Sequence, residues 1–260
     1  MSKRLKRQAQ YQKDESLNLT TLTQEITPPR PARAAKPLEP MNDTQKAYIS
    51  SIHHNRITFG IGPAGTGKTY IAARIAAQQL REKKIERIYL SRPAVESGRS
   101  IGFLKGTLEE KMQPYMAAFG QAFRDGLGEG HFEYHMRMGR IEILPINFIQ
   151  GRSLDEKCYL LVDEAQNTTP EEMKMILTRI GKGARFVITG DPQQKMIPGK
   201  SGLIDGLRKI RYLESIGVAE FSRSEIVRDD LVQHILNAYD EENGEEEVQL
   251  DLPGFITGKS

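Results

Sequence analysis

Three glycines, a lysine and two threonines are crowded into Gly62-Pro63-Ala64-Gly65-Thr66-Gly67-Lys68-Thr69, a G-x-x-x-x-G-K-T run. The glycines permit a tight backbone curve that turns successive N–H groups toward one centre. A helix opening just after them would add the positive end of its dipole at the same point. Such a loop cradles phosphate groups. Lys68 is then placed to reach the β- and γ-phosphates of ATP, and Thr69 to offer its hydroxyl to Mg²⁺. A glycine-rich turn that binds nothing is the other reading, and it leaves the Lys68-Thr69 pair without a reason.

Hydrolysis of a triphosphate also needs acid groups beside the metal. Leu160-Leu161-Val162 delivers Asp163 and Glu164 at the end of an apolar run. Asp163 is expected to hold Mg²⁺, directly or through water, and Glu164 to orient or deprotonate the attacking water. A third polar turn, Thr189-Gly190-Asp191-Pro192-Gln193-Gln194, follows another apolar run. Gln194 is the candidate sensor of the γ-phosphate, and a plain Asp-Pro turn is the alternative. The adjacent acids favour hydrolysis over transfer to a second substrate. A small-molecule kinase would share the phosphate loop, with 126–139 as a glycine-rich lid, but would not need the acid pair or the glutamine.

These side chains can cooperate only if a scaffold brings their loops to one edge. Strands are expected at 57–61, 87–90, 141–144, 158–162, 185–189 and 218–221. Helices are expected after a cap at Asp43 or Thr44, and at 69–84, about 104–123, 170–179, 202–209 and 231–239. Strands alternating with helices predict an α/β fold, a mostly parallel sheet covered by helices on both faces. Ligands in such sheets sit at the C-terminal ends of the strands. The glycine- and histidine-rich stretch 120–139 gives the least periodic signal.

Residues 1–40 carry Lys3, Arg4, Lys6, Arg7 and Lys13, then Pro28, Pro29, Pro31, Pro37 and Pro40. They read as a disordered basic, proline-rich tail, with 41–240 as the folded domain and 241–260 as an acidic flexible tail. The net charge of +3 is too small to name a partner, although the basic arm could touch nucleic acid. A single cysteine, Cys158, excludes an intramolecular disulfide and reads as a buried strand residue. With no signal core and no membrane-spanning apolar run, a reducing cytoplasmic setting without membrane contact is expected. His131 and His135 have metal-like spacing but no cysteine or acidic trio beside them. Arg92 and Arg152 follow strands, so they are expected at the same sheet edge and are candidates for nucleic-acid phosphates or the γ-phosphate, with salt bridging as the alternative.

Taken together, the phosphate loop, Asp163-Glu164-Ala165-Gln166 and Gly190-Asp191-x-x-Gln194 are similar to motifs one, two and three of superfamily one helicases. The chain more closely resembles the PhoH-like proteins, the phosphate-starvation-inducible ATPase family of bacteria and phages. That resemblance is carried by Ser91-Arg92-Pro93-Ala94-Val95, Gly98, Ile101-Gly102-Phe103-Leu104-Lys105-Gly106-Thr107-Leu108-Glu109-Glu110-Lys111-Met112, Gly151-Arg152-Ser153-Leu154 and Ser224-Glu225-Ile226-Val227-Arg228. It departs at Lys105, Ser153 and Glu225, where Pro, Thr and Asp are the family's frequent residues, and none of these touches the phosphate loop. The resemblance implies a RecA-like P-loop NTPase fold, ATP hydrolysis and a helicase role on RNA or DNA. It implies that Gln45, one helix ahead of the first strand, contacts adenine, a solvated glutamine being the alternative. Some relatives carry a PIN nuclease domain, for which this chain has neither room nor an acidic cluster.

Superfamily one helicases close their ATP site between two RecA-like halves. The stretch after Gln194 is shorter than the ~100 residues a second half needs. A ring, with a hexamer as the expected size, would let a neighbour donate the missing arginine. Arg228 is the preferred donor and Arg223 the second; surface pairing with Glu225 or Asp229 is the alternative. The leading expectation is a ring-forming ATPase that depends on RNA or single-stranded DNA. An ATP-driven switch or scaffold acting on a protein partner, suited to the acidic and proline-rich tails, stays open.

Overall fold

A computed structural model describes residue 29 and residues 35–93, 119–152, 154–155 and 157–227. The expectations for residues 1–28 and 241–260, for helix over 104–118 and 231–239, and for Arg228 lie outside the described residues.

Strands β1 (Ile57–Ile61), β2 (Arg87–Ser91), β3 (Ile141–Ile143), β4 (Cys158–Val162), β5 (Arg185–Gly190) and β6 (Ile216–Glu220) form one sheet in the order β3-β2-β4-β5-β1-β6. Every pairing is parallel. Strands β1 and β4 are buried at every position, and β2 and β5 at all but their first. Strands covered on both faces must be apolar throughout, which is why these runs were the plainest in the sequence. Edge strand β6 instead alternates, with Gly217 and Ala219 buried between more open neighbours.

Two cores lie on the two faces. On β4, Tyr159 and Leu161 join Tyr48, Ile75, Phe123 and Val187, while Cys158, Leu160 and Val162 join Phe59, Met173, Phe186 and Leu207. Helices α1 (Asp43–His54), α2 (Lys68–Arg81), the helical residues 119–127 and α3 (Glu129–Arg137) supply the first core. Helices α4 (Ile146–Ile149), α5 (Pro170–Leu177) and α6 (Gly202–Ile210) supply the second. Each fully buried Leu, Ile or Phe contributes about 1.5–3 kcal/mol, so this packing holds the strand ends in register. Cys158 is buried as expected, and that burial pushes its thiol pKa up.

Local chemistry moved several boundaries. Asn42, not Asp43 or Thr44, caps α1, its side chain accepting from the Gln45 N–H at 2.8 Å. Helix α2 stops before 84 because Lys83 takes a left-handed conformation, φ 57°. Strand β6 starts at Ile216, two residues earlier than expected, after a left-handed Ser215 whose carbonyl accepts from Arg56 and Ile57. The weakly periodic 120–139 stretch is mostly helical, and α4 had no sequence signal long enough to find.

The expected α/β architecture, a parallel sheet covered by helices on both faces, is present among the described residues. Its topology sets the site. Strands β2, β1, β4, β5 and β6 are followed at once by Arg92, Gly62, Asp163, Asp191 and Phe221, all on one sheet edge. Strand β5 lies between the phosphate-loop strand β1 and the acid strand β4.

Candidate active site

The phosphate loop leaves β1 at Gly62 with φ 134°, and a Cβ there would stand 2.2 Å from the Phe221 carbonyl oxygen. No other residue fits between the loop and the end of β6. Gly67 (φ 86°) turns the chain into α2. Lys68 is 7% exposed, and its ammonium donates to the carbonyls of Gly62 at 2.7 Å and Pro63 at 2.5 Å and to the Thr66 hydroxyl at 3.2 Å. Burial pushes the Lys68 pKa down to about 8, against the pull of Asp191, Asp163 and Glu164. Thr66 in turn donates to the Pro63 carbonyl at 3.0 Å.

Gln45 sits against the loop. Its Nε2 donates to the Thr66 carbonyl at 3.1 Å and its Oε1 accepts from the Met41 N–H at 2.8 Å. It is buried, so the solvated alternative is not what the structure shows.

The Thr69 hydroxyl donates to Asp163 Oδ1 at 2.8 Å, joining the phosphate loop to the acid strand. Thr189 on the intervening β5 donates to the same oxygen at 2.7 Å. Among the described residues Asp163 Oδ2 has no hydrogen-bond partner. Glu164 adopts a left-handed backbone, φ 53°, at the turn into the 3-10 segment Ala165–Asn167. Its Oε1 lies 3.3 Å from Arg92 Nη2, and its Oε2 accepts from Gln166 Nε2 at 2.6 Å. Gln166 is fully buried and its Oε1 accepts from the Asp191 N–H at 3.0 Å. One amide therefore links the acid turn to the turn after β5. Asn167 adds a second link, accepting from the Met196 N–H at 2.7 Å. Sequence reasoning gave no role to Thr189, Gln166 or Asn167, although a buried threonine inside an apolar strand was a readable signal.

The remaining expected residues are less concentrated. Gln194 is exposed in the 3-10 segment Pro192–Gln194, with its backbone N–H on the Asp191 carbonyl. Arg223 donates to Gln193 of its own chain at 3.0 Å. Arg152 does not share the sheet edge with Arg92: it follows α4, pairs with Glu142 of β3 at 3.0 Å and lies over the Tyr89 ring of β2. His135 is buried on α3, and burial pushes its pKa down to about 4. Among the described residues no three His, Cys, Asp or Glu side chains gather to hold a metal. A cavity of about 740 Å³ opens beside the loop, lined by Pro63, Gln193, Lys200, Ser201, Arg208 and Arg223 among others. It touches neither Lys68 nor Asp163 and so adjoins the phosphate cradle rather than forming it. No described helix is long and apolar enough to cross a membrane.

Against this geometry stand the comparisons with known proteins. The family described as PhoH-like protein matches residues 37–240. A PhoH-like protein of Bacillus subtilis is 45% identical over 201 residues, covering 76% of this chain and 63% of that one. A PhoH-like protein of Mycobacterium tuberculosis is 43% identical over 210 residues, covering 80% and 59%. Protein PhoH of Escherichia coli is 35% identical over 214 residues, covering 81% and 60%. The chain spans about three-fifths of the length of these relatives. Among solved structures, the UvsW helicase of bacteriophage T4 is similar with a TM-score of 0.44 and 16% identity, covering 73% of this chain and 62% of that one. The Pif1 helicase of Candida albicans reaches a TM-score of 0.41 and 14% identity, covering 77% and 44%. Likenesses that distant identify neither substrate nor activity.

Proposed function

The chain belongs to the PhoH-like protein family, and from that membership we propose that it binds ATP with Mg²⁺ and hydrolyses it where β1 meets α2, in dependence on RNA or single-stranded DNA. The observation that carries the reading is the 2.8 Å hydrogen bond from Thr69 to Asp163. It joins two segments that are far apart in sequence at the point where a triphosphate and its metal must meet.

The Lys68 ammonium already spans two loop carbonyls and a hydroxyl. The β- and γ-phosphate oxygens would replace those acceptors, with backbone N–H groups of residues 62–69 around them. Mg²⁺ takes oxygen donors and uses one or two carboxylates beside phosphate. The Thr69 hydroxyl and Asp163, with its open Oδ2, fit that requirement and would hold it. The chemistry Mg²⁺ supplies when bound is neutralisation of charge on the phosphate oxygens. Thr189 fixes the Asp163 carboxylate from behind. Glu164 orients or deprotonates the attacking water, and Gln194 reports on the γ-phosphate through the turn it shares with Asp191. Gln45 holds the loop at Thr66 and keeps one amide hydrogen for the adenine side.

The arginine that completes phosphoryl transfer comes from a neighbour in a ring, a hexamer in this reading. Arg228 is the preferred donor in this reading and Arg223, which donates to Gln193 of its own chain at 3.0 Å, the second. The test is phosphate release by the full chain with and without poly(U) or oligo(dT), together with its mass in solution. Lys68→Ala and Glu164→Gln should each lower kcat at least about a hundredfold. Wild-type turnover equal to that of Lys68→Ala would sink the ATPase. Turnover indifferent to either polymer would sink the nucleic-acid dependence.

A further inference from the structure

Arg92 is the first residue beyond β2, and its guanidinium meets Glu164 Oε1 at 3.3 Å. The other carboxylate oxygen is taken by Gln166 at 2.6 Å. The acid assigned to the attacking water is thus gripped at both oxygens, on a residue whose backbone is left-handed. The two grips differ in kind. Gln166 is fully buried and its other end holds the Asp191 N–H, so moving it would orphan a buried donor. Arg92 and Glu164 keep 31% and 30% of their side-chain surfaces exposed. An ion pair that open is weak and screened by salt. The planar guanidinium fork suits a phosphate as well as a carboxylate. Of the two contacts on Glu164, the one from Arg92 is the more exposed and the one from Gln166 the more deeply fixed.

We propose that Arg92 is a positioning residue that couples strand binding to hydrolysis: it holds Glu164 away from the attacking water until a backbone phosphate of RNA or single-stranded DNA takes its guanidinium. The exchange replaces one anion by another and changes no covalent bond. Glu164, released from Arg92 and still held by Gln166, then serves the water. The inference rests on the roles given above to Glu164 and to nucleic acid. Because the coupling is an equilibrium, it is reciprocal: whatever weakens the ion pair must strengthen binding of the strand.

Two measurements on the full chain test it. In steady-state phosphate release, Arg92→Ala should raise the basal kcat about two- to fivefold, the equivalent of losing a partly exposed ion pair. The KM for ATP should stay the same, and stimulation by poly(U) or oligo(dT) should be lost; Arg92→Lys should keep part of it. In fluorescence anisotropy with labelled poly(U), Glu164→Gln should tighten binding by a similar factor, but not in an Arg92→Ala or Arg92→Gln background. A basal rate at or below wild type in both Arg92→Ala and Arg92→Gln overturns the proposal. So does equal tightening by Glu164→Gln with and without Arg92, or no binding of either polymer. If wild type fails to hydrolyse ATP, the ATPase reading falls, and the anisotropy cycle, which needs no turnover, still decides the exchange at Arg92.

Discussion

Thr189→Val would remove one hydroxyl from the site and almost nothing else. Valine has nearly the same shape, and position 189 is fully buried in a β-strand where a β-branched residue belongs. The change deletes the 2.7 Å bond to Asp163 Oδ1. A hydrogen bond to a charged group contributes ~1.5–3 kcal/mol. The lower end applies, because Oδ1 keeps its 2.8 Å bond from Thr69. For a domain of this size about 1.5 kcal/mol corresponds to a fall in Tm of roughly 3–6 °C. Loss of a group that orients a metal ligand also weakens metal binding about tenfold or more. The Mg²⁺ concentration giving half-maximal ATPase should therefore rise by about that factor. Thermal unfolding without nucleotide reads the first effect and a Mg²⁺ titration at saturating ATP reads the second. Thr189→Ser should restore both. If Thr189→Val melts with wild type and needs no more Mg²⁺, Thr189 does not hold Asp163 and the acid is positioned by the strand alone.

Two further outcomes follow from buried bases. The Lys68 pKa of about 8 lies below the ~10.4 of an unfolded lysine, so the charged ammonium opposes folding at neutral pH, and that opposition fades as pH rises from 8 toward 10. Lys68→Met should raise urea stability at pH 7, flatten the wild-type gain above pH 8, and abolish any shift caused by ATP; a less stable Lys68→Met at pH 7 would reverse the sign argument. His135, with a pKa of about 4 against ~6.5 unfolded, is neutral in the fold at pH 7, so stability should fall as pH drops from 6.5 toward 4. Denaturant titrations of His135→Leu across that range should show a smaller fall, and a wild-type profile flat between pH 4 and 6.5 would contradict the burial of a neutral imidazole.

The sheet was readable because burial on two faces leaves long apolar runs. Strand β4 was located to the residue, and the phosphate loop announced itself through spacing that few other structures require. What escaped were features set by partners distant in the chain. Asn42 was passed over as a cap because Asp43 and Thr44 are equally good capping types, and only the Gln45 N–H decides among them. Gln166 stood inside a recognised motif, yet its part emerges only when Asp191, in the turn after another strand, arrives at its carbonyl. Arg152 was expected at the sheet edge because the short helix α4, invisible as a period, was not inserted between it and β3. Residue types at one place are legible in a sequence; pairings across crossovers need the fold.

The segment leaving β6 is stitched to the end of β1 and to the glycine-rich loop after it. The Phe221 N–H donates to the Ile61 carbonyl at 2.7 Å and the Val227 N–H to the Gly65 carbonyl at 2.9 Å. The two bonds bracket residues 222–226, which contain the 3-10 turn Arg223–Glu225. Tension on the chain at Val227 would pass to Gly65 through that one backbone bond. Conversely, under the proposed reading, a loop that reshapes around phosphate would tug the exit of the sheet through the same two bonds.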